Sequence, residues 1–376
     1  QKKIVFLTGT RADFGKLKSL IRITQDSDDF NVQIFATGMH LDGKYGLTVN
    51  EIYKSGFNNI STFQNHVGAE FMDRTLAKTI EGFSEYIANQ KPDLIVVHGD
   101  RVEALAGAIV GSLNNILTAH IEGGEISGTI DELIRHSVSK LSHIHLVSNE
   151  EAKNRLIQMG ELGSSIHIIG SPDLDLMNPS NLPNLDVVKD YYSIPFDDYA
   201  IAMYHPVTTE FDKIKYQIKI FVDALIESNK NYILVYPNND LGTVEILDEY
   251  KRLKDNKNFK IFPSLRFEYF LKLLQESEFI IGNSSAGVRE APYYKVSTID
   301  IGTRQQNRAL ATSIINVTNN YVDILNAIMN INNKDENIIN ITEFGDGNSS
   351  NLFLSLLQTQ KIWSINCQKQ FQDLIR

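Results

Sequence analysis

Three acidic residues stand where a chain could use them for proton chemistry. Asp100 lies in His98-Gly99-Asp100-Arg101, Glu122 in His120-Ile121-Glu122-Gly123-Gly124-Glu125, and Asp131 opens Asp131-Glu132-Leu133-Ile134-Arg135-His136. Carboxylates can take or return a proton and can steady a positive charge that develops on a reacting carbon. The first two acids close short apolar runs at 94–97 and 116–121. The third opens an amphipathic helical segment with Leu133, Ser137 and Leu141 on one side. Such runs read as strands of an open α/β sheet, whose ligand crevice lies outside the carboxyl ends of the strands, so all three acids are expected to face one cleft. Like charges held together raise the pKa of at least one of them, so one acid can start protonated and another ionised. The residues leave open which is which. Each also has a purely structural reading, Asp100 as a turn residue and Asp131 as a helix cap.

The elements that must position these acids form two α/β series. Runs at 4–7, 32–36, 94–97, 117–121, 145–147 and 167–169 read as strands, with helices near 16–24, 71–89, 104–113, 131–142 and 150–159. A cluster of turn residues then runs from Gly170-Ser171-Pro172-Asp173 to Pro183-Asn184. A second series follows, with strands at 199–203, 232–236, 259–262, 279–281 and 296–301. The asparagine-rich region 315–348 is expected to form surface loops around one helix near 322–331, and a final helix, about 352–375, to pack back across the domains. The expected fold is α/β, two doubly wound Rossmann-like domains facing a cleft in the GT-B-like arrangement of nucleotide-sugar glycosyltransferases. The expected domains are 1–172, carrying the catalytic acids, 173–351, binding nucleotide, and the helix 352–376.

Composition narrows the partners. With 376 residues, 42% hydrophobic, the chain exceeds one core at roughly 100–200 residues per domain. A net charge of −10 argues against nucleic acid and anionic membranes, both of which need a broad basic surface. No apolar run reaches the ~18–20 residues of a membrane span, and the opening apolar run breaks at Thr8-Gly9-Thr10, too early for a signal-peptide core. A single cysteine, Cys367, allows no internal disulfide and no cysteine zinc site. The expected compartment is cytoplasmic. His136, His143 and His145 do not share a face in a way that predicts a metal.

In so acidic a chain an anionic ligand needs local positive charge. Thr8-Gly9-Thr10-Arg11-Ala12-Asp13-Phe14-Gly15-Lys16 follows the first strand and brings Arg11 and Lys16 to the cleft floor; Arg101 follows Asp100, His205 follows the strand at 199–203, and Arg304 and Arg308 follow the strand ending at Ile301. One cation about 4 Å from a phosphate is worth ~4 kcal/mol at an effective dielectric of about 20, before desolvation. Gly282-Asn283-Ser284-Ser285-Ala286-Gly287-Val288-Arg289-Glu290 is the candidate nucleotide loop. Ser284 or Ser285 can cap the next helix, whose N–H groups and dipole suit a diphosphate, and Glu290 can accept from ribose hydroxyls. The loop matches neither the dinucleotide glycine fingerprint nor the Walker pattern. Its serines can equally be plain caps, and His40, after the second strand, can equally be structural.

Taken jointly these motifs resemble the hydrolysing UDP-N-acetylglucosamine 2-epimerases of bacterial sialic acid biosynthesis. The resemblance runs along nearly the whole chain, through Gly9 to Leu17, His98 to Gly107, His120 to His136, Ile168 to Asp173, His205-Pro206-Val207-Thr208-Thr209-Glu210, Tyr236-Pro237-Asn238-Asn239-Asp240 and Gly282 to Pro292. Arg11-Ala12-Asp13 and Arg101 stand where the non-hydrolysing branch looks like Arg-Pro-Glu and threonine. The resemblance implies conversion of UDP-N-acetylglucosamine and water to N-acetylmannosamine and UDP through a 2-acetamidoglucal, without cofactor or metal. By the same resemblance Asp100, Glu122 and Asp131 are the catalytic acids, supported by His205, Lys16 and His40. The implied UDP contacts are Arg11, Arg101, Asn239, Ser284, Ser285, Glu290 and Arg304, and the implied assembly is a homodimer or homotetramer. The alternatives are a sister epimerase of a UDP-2,4-diacetamido-2,4,6-trideoxyhexose, a glycosyltransferase of the same fold, which would need an acceptor, and a non-catalytic nucleotide-sugar sensor.

Overall fold

Strands covered by helices on both faces read as unbroken apolar runs, because neither face meets water. In β1 (Lys2–Thr8) every side chain from Ile4 onward is buried. The computed structural model describes residues 1–66, 71–305, 312–331 and 345–374. The chain divides into two compact units, one of Gln1–Glu125, Asp131–Asn178 and Thr342–Arg376, the other of Ile126–Ile130 and Pro179–Ile341.

In the first unit β1 is joined by β2 (Phe30–Ala36), β3 (Ile60–Thr62), β4 (Leu94–His98), β5 (Leu117–Ile121), β6 (Ile144–Val147) and β7 (Ile166–Ile168), in the order β3-β2-β1-β4-β5-β6-β7 with every pairing parallel. The helices are α1 (Arg11–Gln25), α2 (Val49–Lys54), α3 (Met72–Gln90), α4 (Val102–Leu113), α5 (Ile130–Leu141), α6 (Glu150–Gln158) and α7 (Leu174–Met177). The strand order reverses between β1 and β4, and the loops leaving these two strands are Thr8 to Arg11 and His98 to Arg101. A doubly wound sheet binds its ligand at that reversal.

The second unit repeats the plan. Its strands are β8 (Ala200–Met203), β9 (Tyr232–Val235), β10 (Phe259–Phe262), β11 (Phe279–Gly282), β12 (Ser297–Ile301) and β13 (Ile314–Val317), ordered β10-β9-β8-β11-β12-β13 and again parallel. Helices α8 (Leu185–Tyr192), α9 (Ile214–Glu227), α10 (Thr243–Tyr250), α11 (Phe267–Glu276), α12 (Glu290–Tyr293) and α13 (Tyr321–Asn330) accompany it. Here the reversal lies between β8 and β11, next to His205 and the Gly282–Ser285 segment.

Several expectations need correction. The asparagine-rich region begins with a strand, β13, which takes the sheet edge and leaves Ile315 exposed. Its half-buried pattern hid it among polar residues. Within the same region, 332–344 lie outside the described residues. The single final helix is instead α14 (Ser349–Gln358) and α15 (Gln360–Trp363), followed by non-helical chain to residue 374. Phe353, Leu357 and Ile362 enter the core of the first unit, with Phe353 edge-on to Phe6 at 6.2 Å, and Asp175 accepts from the N–H groups of Ser349 and Ser350 at the start of α14. Nor does α5 bury the side carrying Leu133, which is 62% exposed; the inward face is Ile134, Arg135, Val138 and Ser139. The stripe with an arginine at its centre is the buried one.

Candidate active site

The first unit gathers the acids around Arg135. One turn after Asp131 on α5, Arg135 is 1% exposed, and its guanidinium binds the Asp100 carboxylate and donates to the Glu125 carbonyl at 3.3 Å. Asp100, Glu125, Asp131 and Glu122 all act on it electrostatically and push its pKa further up against the cost of burial. A guanidinium keeps its proton in proteins, so this is a permanent positive charge among four carboxylates.

Glu122 follows β5 with φ +65°, a left-handed conformation that costs a non-glycine residue about 1–2 kcal/mol. Its N–H is taken by the Leu146 carbonyl at 2.9 Å, and its side chain turns to His98, the last residue of β4, with Oε2 3.1 Å from Nε2. Register explains the meeting: His98 pairs with Ile121, so Glu122 projects one residue beyond. Burial opposes the charged imidazole, but Glu122 and Asp13 outweigh it and the His98 pKa is raised.

His120 ties the acid-bearing elements together. Its Nε2 donates to the Gly99 carbonyl at 2.7 Å and its Nδ1 accepts from Ser139 Oγ on α5 at 2.8 Å. Fully enclosed, it has its pKa pushed down to about 3 and stays neutral. One ring thus joins the loop of Asp100, the strand of Glu122 and the helix of Asp131.

The loop after β1 supplies the remaining charge. Thr10 caps α1, and Asp13 closes a capping box by accepting from Thr10 N–H at 3.3 Å, and also accepts from Gly9 N–H at 2.7 Å and Thr8 Oγ1 at 2.9 Å. Burial raises the Asp13 pKa despite those bonds. Lys16 Nζ lies 3.5 Å from Asp173 Oδ2, Arg11 Nη2 lies 3.6 Å from Glu51 Oε1, and Arg101 Nε lies 3.4 Å from Glu103 Oε2. Glu103 fits only because positions 9 and 38 are glycine: a Cβ would stand 2.9 Å from its Cγ at the first and 2.7 Å from its Oε1 at the second, where φ is also +63°. His40 is enclosed, with its ring nitrogens 3.0 Å from Thr8 Oγ1 and 2.8 Å from Thr48 Oγ1, and its pKa is pushed down to about 3. Held so, His40 lies buried between Thr8 at the end of β1 and Thr48 before α2.

In the second unit Asn283 is the organiser. It accepts from His205 N–H at 2.6 Å, donates to the His205 carbonyl at 2.8 Å, and its own carbonyl receives Arg304 Nη1 at 3.1 Å and Gln305 Nε2 at 3.0 Å. His205 Nδ1 accepts from Asn238 N–H at 3.1 Å, which leaves Nε2 as the protonated nitrogen of the neutral ring. Asn239 is buried in the same loop. At Gly282, φ is +137° and a Cβ would fall 1.9 Å from the Met203 carbonyl, so β8 and β11 can close only on glycine. Ser284 Oγ accepts from Ala286 N–H at 3.3 Å, Ser285 opens a single 3-10 turn, and Glu290 is buried at the start of the four-residue α12. The helix that Ser284 or Ser285 is expected to cap is only this 3-10 turn and the four-residue α12, because the chain must return to β12 at Ser297, so the helix-dipole argument for diphosphate lapses. Arg308 lies outside the described residues.

The structure therefore sets Asp100, Glu122, Asp131, Lys16, His40, Arg11 and Arg101 in the first unit and His205, Asn239, Ser284, Ser285, Glu290 and Arg304 in the second. Sequence reasoning passed over Arg135, His98, Glu125 and His120. Arg135 stands four residues after Asp131, a spacing that puts both on one helix face and could have flagged it. His143 accepts from Thr118 N–H at 3.1 Å and His145 Nε2 lies 2.9 Å from Glu161 Oε2, so both are engaged inside the fold.

Comparison with known proteins shows the family and the fold. The family model described as UDP-N-acetylglucosamine 2-epimerase matches residues 22–358. The UDP-N-acetylglucosamine 2-epimerase of Neisseria meningitidis serogroup B is 46% identical over 376 residues, 99% of either chain. A Legionella pneumophila UDP-N,N'-diacetylbacillosamine 2-epimerase (hydrolyzing) is 36% identical, covering 95% of this chain and 96% of its own. Among solved structures, the Methanocaldococcus jannaschii UDP-GlcNAc 2-epimerase in complex with UDP-GlcNAc and UDP superposes with a TM-score of 0.81 at 24% identity, over 94% of this chain and 99% of that one.

Proposed function

Because the chain belongs to the UDP-N-acetylglucosamine 2-epimerase family, we propose that it is a hydrolysing 2-epimerase, converting UDP-N-acetylglucosamine and water to N-acetylmannosamine and UDP as the first step of sialic acid biosynthesis. The observation that carries this reading is the set of carboxylates around Arg135. Departure of UDP gives carbon 1 oxocarbenium character and acidifies the carbon 2 hydrogen. The electrons of the carbon 2–hydrogen bond then become the double bond of 2-acetamidoglucal, those of the carbon 1–oxygen bond leave with UDP, and the proton passes to a carboxylate. Water next adds at carbon 1 and a proton returns to the opposite face of carbon 2. A fixed anion steadies the first stage and proton-carrying groups serve both.

On this reading Asp100, Glu122 and Asp131 act at the sugar. Lys16 and His205 meet sugar and diphosphate, while His40 acts through the loop it supports. The proposed UDP contacts are Arg11, Arg101, Asn239, Ser284, Ser285, Glu290 and Arg304. The diphosphate is met by side chains and the reaction has no redox step, so activity should survive EDTA. Among the described residues no helix is long and apolar enough to cross a membrane. The assembly is proposed to be a homodimer or homotetramer, which light scattering tests.

Hydrolysis in deuterated, oxygen-18 water distinguishes this chemistry from cleavage at phosphorus. The expected products are N-acetylmannosamine with deuterium at carbon 2 and, read promptly, oxygen-18 at carbon 1, beside unlabelled UDP. Label in UDP, or retention of the original carbon 2 hydrogen, overturns the assignment. The Legionella relative favours a second reading, a UDP-2,4-diacetamido-2,4,6-trideoxyhexose as substrate, for which the same acids would serve. Turnover of the two sugars side by side separates the readings.

A further inference from the structure

Asp100 and Glu122 are given opposite kinds of partner. Asp100 binds Arg135, which cannot release its proton, so its partner's charge is constant at every working pH. Glu122 instead faces His98 at 3.1 Å, and imidazole is the side chain whose charge changes near neutrality. Both members of the second pair are enclosed, His98 with 8% and Glu122 with 6% of the side chain exposed, so water does little to screen one from the other. The left-handed backbone at Glu122 aims its carboxylate at the end of β4. The charged and titratable groups facing His98 are Glu122 from the end of β5, Asp13 and Lys16 from α1, and His120 from β5. His120 stays neutral, so two acids face one lysine, and the balance favours imidazolium.

We propose that His98 is a positioning residue acting through Glu122: as an imidazolium it holds Glu122 anionic and oriented to accept the carbon 2 proton, whereas Arg135 fixes Asp100 as the anion that steadies the developing positive charge. The inference rests on the epimerase reading above. In the step concerned, the carbon 2 proton goes to a Glu122 oxygen, the electron pair left behind forms the carbon 1–carbon 2 double bond, and the carbon 1–oxygen pair departs with UDP. His98 keeps its own proton throughout. Burial alone would favour the neutral acid form of Glu122, which cannot act as a base. The adjacent cation supplies the ionised form.

The test is the pH dependence of kcat in His98→Asn and His98→Gln, whose amides keep a donor near Glu122 but carry no charge. An opposite charge within about 4–6 Å lowers a carboxyl pKa by about 1–3 units, so its loss should move the acid limb of the kcat profile upward by about one unit or more. At neutral pH kcat should fall about 10-fold or more, KM should change little, and alkaline pH should restore much of the rate. A fall in kcat equal at every pH, or no fall, overturns the proposal. A second measurement needs no His98 variant: the His98 ring is titrated by NMR in the full-length wild type and in Glu122→Gln. Its pKa should drop when the carboxylate is removed, and an unchanged titration overturns the pairing. Wild-type turnover of UDP-N-acetylglucosamine is recorded alongside. Its absence defeats the epimerase reading, while the titration still decides whether the two side chains are coupled.

Discussion

Replacing Arg135 by methionine keeps most of the side-chain volume and removes the one charge that the four carboxylates share. Arg135 is 1% exposed and bound to Asp100, with Glu125, Asp131 and Glu122 also acting on it. Breaking a buried pair by deleting one partner costs about 3–5 kcal/mol, because the other charge is left without compensation. Against a total stability of about 5–15 kcal/mol the variant should still fold. At about 2–4 °C per kcal/mol for a unit of this size, the transition of the first unit should fall by about 6–20 °C in calorimetry. The loss should shrink as the pH is lowered from about 8 to about 5, since the orphaned carboxylates can then take up protons. Arg135→Lys keeps the charge but cannot fork between the Asp100 carboxylate and the Glu125 carbonyl, so it should fall between wild type and Arg135→Met. An Arg135→Met protein melting within about 2 °C of wild type at pH 8 would refute the view of Arg135 as the hub of the acids.

Asp100→Asn, Glu122→Gln and Asp131→Asn should each lower kcat by about 100-fold or more while UDP affinity, measured by calorimetry, changes far less; three folded and active variants would remove the basis for the assigned chemistry. His40 and His120 are held neutral with pKa values near 3 against 6.5, so the unfolded chain binds protons first as the pH falls. Their joint contribution drops by about 4 kcal/mol between neutrality and about pH 5, partly offset by His98, which is shifted the other way; a melting temperature flat over that range speaks against both buried assignments. Lys369 donates to the carbonyls of Ser139, Lys140 and Ser142 at 3.3, 2.8 and 2.5 Å and pairs with Glu161 at 2.6 Å, fastening the final segment to the end of α5. Lys369→Ala should cost about 2 kcal/mol and speed chymotrypsin cleavage after Phe371, and an unchanged cleavage rate would count against that fastening.

The sheet was legible wherever burial on both faces wrote itself as a continuous apolar run, as at 4–7, 94–97 and 232–236. It was illegible where an element is short or one-sided. β3 has three residues, α2 has six, and β13 is the four residues Ile314-Ile315-Asn316-Val317 at a sheet edge, so none carries a period long enough to read. The final helix failed for a different reason. Phe353 and Leu357 keep a helical spacing, but on a continuous helix Ile362 would fall on the opposite face; the chain turns at Thr359 and starts a second short helix, and all three side chains then share one core.

At the candidate site the acids could be read from the sequence and their partners could not, because a strand end announces a carboxylate's position but not what faces it. The like-charge argument for Asp100, Glu122 and Asp131 treats the acids by themselves. It lacks the opposite charge that α5 brings inward, because Arg135 shares the buried face with Ile134, Val138 and Ser139. Once Arg135 takes that place, the acids need not be separated by mutual repulsion. They are separated by partner: Asp100 with a cation that never titrates, Glu122 with one that can. The same logic applies to His120 and His40, which a sequence presents as candidate acids or bases. Burial and hydroxyl partners keep both neutral, so the titrating positive charge is left to His98, the ring with a carboxylate directly against it, and the proton transfer itself to Glu122.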